Sequence, residues 1–160
     1  MKIHVRYARQ EDMSRVLELI HALAHYEKEP GAVAITTDDL IRDGFGKVPL
    51  FQCFVAEYDG QIEGMALIYF RYSTWKGKTV HLEDLIVSED MRGKGLGTAL
   101  YELVMRFAHQ EGVKRVEWVV LDWNTPAINF YKKSGAHILA DWKLVQMDES
   151  GLNAFVAKLE

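Results

Sequence analysis

The chain has 160 residues, 49% hydrophobic and 26% charged, with a formal net charge of −4. That size gives one domain of ordinary dimensions, or at most two very small ones, and it builds a core without covalent staples. The balance excludes collagenous, low-complexity and disordered chains and disfavours a basic nucleic-acid binder, while one cysteine, Cys53, leaves no intrachain disulfide framework and no multi-cysteine zinc site.

Lys2 to Tyr7 alternates charged and apolar residues, the period of a half-buried strand. Met13, Val16, Leu17, Ile20, Leu23 and Ala24 then recur at helical spacing, with Glu11 and Asp12 expected in the first turn, where negative charge suits the dipole. This helix stops before Pro30-Gly31. Thr37 is the expected N-cap of a short helix, Asp38 to Asp43, closed by Gly44.

Phe51–Tyr58 and Gln61–Tyr72 are β-rich runs joined by Asp59-Gly60, a strong hairpin signal because both turn positions need positive φ. Thr79–Val87 is a third strand beside them. Leu96, Leu100, Leu103, Val104, Phe107 and Ala108 mark a long helix ending near Gly112, and Arg115–Leu121 reads as the next strand. Thr125-Pro126 opens another helix with an N-cap and an N1 proline, and Gly135 closes it. Trp142–Met147 reads as a last strand, and Leu152, Phe155, Val156 and Leu159 as a terminal helix. No linker or repeat interrupts this order, so a single domain over residues 1–160 is expected. A meander followed by βαβ units implies a mixed α/β sheet covered by helices.

No apolar run approaches the roughly 20 residues that span a bilayer. Met1 to Arg9 lacks the apolar core of a signal peptide, so a cytoplasmic protein without membrane association is expected.

Met91-Arg92-Gly93-Lys94-Gly95-Leu96-Gly97-Thr98 is the most informative segment. It follows a strand and opens a helix. Alternate glycines let successive backbone N–H groups point one way, and the helix N-terminus adds its dipole, which together make an anion cradle. A diphosphate fits its length. A nucleotide-triphosphate loop needs Gly-x-x-x-x-Gly-Lys-Ser/Thr, and a dinucleotide fingerprint needs Gly-x-Gly-x-x-Gly in a first βαβ unit. Neither spacing occurs here.

Arg92 to Gly97 resembles the acetyl-CoA pyrophosphate loop of the Gcn5-related N-acetyltransferase (GNAT) superfamily. Leu23-Ala24-His25-Tyr26-Glu27, Asp43-Gly44-Phe45-Gly46, Leu82-Glu83-Asp84, Asp122-Trp123-Asn124 and Ile128-Asn129-Phe130-Tyr131-Lys132 resemble, in order, the spermidine/spermine N1-acetyltransferase family. Tyr72 to Gly77 and Val120 to Asn124 are closer to its thialysine-acetylating branch. The likeness runs from Ile3 to about Met147. It implies the GNAT fold, a twisted mixed sheet splayed between the third meander strand and the Arg115–Leu121 strand, with acetyl-CoA in the gap. It implies backbone contacts to the cofactor arm from Leu85, Ile86 and Val87. Arg92, Gly93, Lys94, Gly95, Leu96, Gly97 and Thr98 would hold the pyrophosphate, and Asn124, Thr125, Pro126, Ala127 and Tyr131 would lie near the thioester.

Acetyl transfer to an amine needs a base, because an alkylammonium of pKa about 10 cannot attack, and an acid for the leaving thiolate. The resemblance assigns the acid to Tyr131; from spacing alone it is a half-buried helix tyrosine. Glu83 is a carboxylate in an apolar strand, costly unless solvated, paired or used. Its reading is a base, direct or through water, or an ammonium anchor; the plain alternative is a solvated strand end. Asp84 shares that work, although strand neighbours are expected on opposite faces. The resemblance places Tyr26 and Glu27 at the amine, where a solvated helix end is the alternative, and puts Glu117 and Trp118 near the channel, where Trp118 is equally a core residue. Gly135 to Trp142 is shorter than in the polyamine enzymes, with Asp141 the remaining acid for a distal amine, so a short amine is favoured over a long polyamine. His21 and His25 are spaced i, i+4 without a third ligand, so no metal is expected, and Cys53 reads as core.

The sequence thus leads to an acetyl-CoA-dependent N-acetyltransferase of a small primary amine, a polyamine, diamine or thialysine-like compound. The alternatives are another amine (amino acid, antibiotic or protein) and a CoA-binding module without turnover. The resemblance also implies a homodimer.

Overall fold

The computed structural model describes residues 3–159. Five strands are hydrogen-bonded in chain order: β1 (Ile3–Tyr7), β2 (Gln52–Tyr58), β3 (Gln61–Ser73), β4 (Gly77–Val87) and β5 (Val116–Glu117). The first four are antiparallel, and β5 pairs parallel to β4. Lys2, expected to start β1, lies outside the described residues. The mixed sheet with flanking helices is the architecture expected.

The hairpin between β2 and β3 forms as the sequence requires, with Asp59 at φ 48° and Gly60 at φ 83°. The helices are α1 (Met13–Tyr26), α2 (Thr37–Phe45), α3 (Leu96–Gln110), α4 (Thr125–Lys133) and α5 (Glu149–Val156). Both ends of α2 and the start of α1 differ from expectation. Thr36, not Thr37, caps α2 by accepting from the Asp39 N–H, and Asp39 returns a bond to the Thr36 N–H at 2.9 Å. The helix runs on through Phe45 to a C-cap at Gly46, so Gly44 lies inside it, where a Cβ would strike the Phe51 ring at 2.6 Å. Glu11 and Asp12 occupy a short 3-10 turn ahead of α1. Asp12 is drawn there because it accepts from Arg6 Nη1 and the Arg9 N–H, both at 2.7 Å.

Described by itself, the unit Met1–Val119 holds the sheet, α1, α2 and α3. Each face of its sheet buries a core. Phe54, Ala56, Ala66, Ile68, Val80 and Leu82 pack with Leu96, Leu100, Val104 and Phe107 of α3. Cys53, Val55, Met65, Leu67 and Ile86 pack with Met13, Val16 and Leu19 of α1 and Leu40 of α2. Fully burying each Val, Leu, Ile, Phe or Met among them is worth about 1.5–3 kcal/mol, which makes these two layers the source of sheet stability.

The unit Val120–Glu160 holds α4, α5 and irregular chain. Trp142–Met147 is not a strand. Its side chains stand largely exposed, Val145 at 89%, and none of the five strands takes it as a partner. The expected strand Arg115–Leu121 is likewise cut to Val116–Glu117, because β4 pairs with it only at Val80 and His81. No helix among the described residues is long and apolar enough to cross a membrane.

Candidate active site

After Val87 the chain makes a 3-10 turn, Glu89–Met91, and then the loop into α3. Gly93 (φ 79°) and Gly95 (φ 94°) adopt left-handed backbone, which would strain any residue with a Cβ, and Gly95 caps α3. A Cβ at Gly93 would meet nothing within 4 Å, so this position faces open space. Left-handed residues at alternate positions beside a helix start aim backbone N–H groups outward, the geometry of an anion nest. Arg92 to Gly95 are exposed, whereas Leu96 is buried and anchors the helix; Gly97 and Thr98 lie in its first turn. Arg92 carries its guanidinium 4.9 Å from the Tyr26 ring centroid, linking this loop to the end of α1. Lys94 Nζ lies 5.4 Å from the Tyr58 ring centroid.

Upstream, β4 parts from β5 after His81. Among the described residues, Leu85, Ile86 and Val87 therefore have no partner strand on the β5 side, and a free edge of this kind takes an added extended ligand. The register of β4 against β3 slips here. Ile68 faces Leu82 and Leu67 faces Asp84, so Glu83 is the extra residue of a β-bulge. The cores show the consequence. Val80, Leu82, Leu85 and Val87 pack toward α3, while Ile86 packs toward α1. The alternation thus flips between Leu82 and Leu85. Glu83 and Asp84 consequently share the α1 face, not opposite faces as regular alternation requires. A bulge re-aims side chains in this way.

Their environments differ. Glu83 is exposed, and its Oε2 accepts from the Tyr69 hydroxyl at 3.1 Å. His81 Nε2 lies 3.4 Å from the same oxygen. Hydrogen bonds from His81 and Tyr69 hold the Glu83 carboxyl below the usual range against the opposing effect of burial. Asp84 is half-buried, and burial, then the charges of Glu83 and Glu27, push it up to about 6. Glu27, at the C-cap of α1, is also raised by burial. Three carboxylates with separated proton affinities on one face suit binding and deprotonating an ammonium group.

Glu117 lies on the same face as His81, its register partner, and its carboxylate pairs with Arg71 at 2.8 Å and Arg115 at 3.0 Å. Trp118 packs the other way, against the α3 core and edge-on to Tyr101 at 5.9 Å. Cys53 is buried, and burial pushes its thiol up to about 12, which leaves it without nucleophilic character.

In the smaller unit, Asn124, not Thr125, caps α4 by accepting from the Ala127 N–H at 3.4 Å, with Pro126 in the first turn. Tyr131 is 9% exposed, with Phe130 packed edge-on at 5.5 Å. The Ser134 hydroxyl donates to the Tyr131 carbonyl at 2.7 Å, tightening the helix end. Asp141 is exposed in the irregular chain.

The acetyltransferase (GNAT) family model matches residues 17–136. The chain belongs to this family. Among its relatives, the thialysine N-epsilon-acetyltransferase of Bos taurus is 35% identical, covering 98% of each chain. That of Mus musculus is 39% identical over 86% of this chain and 85% of its own. The solved structure of an integron cassette protein from V. cholerae superposes with a TM-score of 0.80 at 21% identity, covering 98% of each chain, which shows a shared fold. Family membership makes this chain an acetyltransferase and brings acetyl-CoA with it as the implied co-substrate. The open loop and the free β4 edge fit that molecule.

Proposed function

We propose that this acetyltransferase moves the acetyl group of acetyl-CoA to the primary amine of a small molecule of the thialysine or diamine type, by direct attack in a ternary complex. The observation that carries the reading is the bulge that brings Glu83 and Asp84 to one face, beside the free edge of β4. The edge atoms of Leu85, Ile86 and Val87 pair with the pantetheine arm, and the amides from Gly93 to Thr98, with Arg92 and Lys94, hold the diphosphate. Asn124, Thr125, Pro126 and Ala127 line the cofactor arm near the thioester.

Glu83 takes the proton from the ammonium, directly or through water. The freed amine attacks the acyl carbon, the thioester C–S bond breaks, and Tyr131 donates to the departing thiolate. Asp84, Glu27 and the Tyr26 ring attract the cationic amine. Glu117 borders the channel, Trp118 takes the alternative core position against α3, and Asp141 meets a distal charge. The thialysine branch is favoured by the identity of the relatives over most of the chain. A homodimer in the cytoplasm, with no metal, completes this reading.

The test is an acetyl-CoA turnover screen over amines of graded length and charge, thialysine, diamines and spermidine included. Turnover with thialysine or a short diamine supports the reading. Activity confined to aminoglycoside, amino-acid α-amine or protein acceptors replaces the substrate. Acetyl-CoA binding without turnover on any acceptor replaces the enzyme with a binding module.

A further inference from the structure

A buried histidine remains outside the chemistry above. His81 is 8% exposed and stands in a cross-strand row, its register partners being Tyr69 on β3 and Glu117 on β5. The Tyr69 ring packs on the imidazole at 5.0 Å. Arg71 Nη1 lies 3.1 Å from His81 Nδ1 and 2.8 Å from Glu117 Oε1. On the opposite side of the ring, Nε2 faces Glu83 Oε2.

The donor chemistry fixes the tautomer. A guanidinium donates and never accepts, and it does not lose its proton in proteins. Nδ1 must therefore present its lone pair to Arg71, and the ring hydrogen sits on Nε2, pointing at Glu83. A buried histidine in a site is ordinarily the first choice for general base. Here its one lone pair is taken by an arginine that Glu117 holds in place. His81 thus has a proton to offer Glu83 and no acceptor for the proton of an amine.

We infer that His81 is a positioning residue, locked by Arg71 as the Nε2–H tautomer, which holds the Glu83 carboxylate by one oxygen and leaves the other for the amine. The inference rests on the reading of Glu83 as the base. Tyr69 and His81 both approach Oε2, and among the described residues no side chain bonds Oε1. The Tyr69 hydrogen bond at 3.1 Å and the His81 contact at 3.4 Å fall on the same oxygen and together bias the rotamer of a long, exposed carboxylate. Holding a catalytic group in its attacking geometry is worth large rate factors.

Two measurements test this. In protein labelled with 15N-histidine, long-range 1H–15N correlation spectra assign the protonated ring nitrogen of His81. The Nε2–H pattern is expected, and an Nδ1–H pattern overturns the inference. In steady-state kinetics, His81→Leu removes the donor and lowers kcat about tenfold, equivalent to about 1.4 kcal/mol, with the KM for acetyl-CoA unchanged. His81→Gln keeps an N–H and recovers most of that loss. His81→Leu adds nothing in a Glu83→Gln background, because it acts through Glu83. A Leu variant as active as wild type, equal losses in the Leu and Gln variants, or additive losses with Glu83→Gln each overturn it. Should the Leu variant fail to fold, the wild-type spectrum decides. If Glu83→Gln alone keeps full activity, the base reading of Glu83 fails, while the tautomer measurement still reports on the Arg71 lock.

Discussion

The bulge at Glu83–Asp84 and the loop Arg92–Gly97 flank the end of β4 and make their chemistry in opposite ways. The loop works through backbone. Gly93 and Gly95 take left-handed conformations, and the amides are aimed by the path of the chain. The bulge works through side chains drawn from several strands, Tyr69 and Arg71 of β3, His81, Glu83 and Asp84 of β4, and Glu117 of β5. Substitutions in the loop should therefore act on cofactor binding, and substitutions at the bulge on turnover.

The largest effect is expected at the bulge. Glu83→Gln should lower kcat by about 10²–10⁴-fold while acetyl-CoA binding, read by calorimetry, stays within a factor of two or so. Equal losses in both would erase the contrast. Tyr131→Phe comes next. Losing the proton donor for the thiolate should lower kcat by about 10²-fold, and a variant with wild-type turnover removes Tyr131 from the acid role. At the loop, Gly93→Val forces a β-branched residue to φ 79° and moves the amides. The KM for acetyl-CoA should rise roughly tenfold or more, with kcat at saturation nearly kept. A fall in kcat with KM unchanged would place the loop in the chemistry.

The smallest effect is a stability change at Asp84. Its carboxyl titrates at about 6 in the folded chain, above its ordinary value of 3.8. The folded state thus favours the protonated form. Stability from this group is complete below about pH 4 and is lost as pH rises through 6. Asp84→Asn should be more stable than wild type by on the order of 1–2 kcal/mol at pH 8, with the gain gone at pH 3.5, as measured by urea unfolding. A gain of the same size at both pH values would assign it to packing.

The same contrast explains what the sequence could reveal. The glycine loop was legible because backbone conformation is written locally, in residues that tolerate positive φ. The Asp59-Gly60 hairpin, the long helix from Leu96 and the two-sided cores were legible for similar local or periodic reasons. The bulge was not. Regular alternation gives Glu83 and Asp84 opposite faces, and only pairing with β3 shows the slipped register. Pairing also decided the strands that failed. Val116–Glu117 alone meets β4, and Trp142–Met147 meets none of the five strands, although both segments are rich in β-forming residues. His81, Tyr69 and Arg71 carry no local signal, because their spacing becomes meaningful only once three strands stand side by side.

The central claim is that the backbone from Gly93 to Thr98 holds the diphosphate of the acyl carrier. A crystal structure of the protein with bound coenzyme A tests it most directly. Diphosphate oxygens should lie about 2.7–3.2 Å from amide nitrogens in that stretch. A diphosphate bound at any other place on the molecule, with these amides facing solvent, would contradict it.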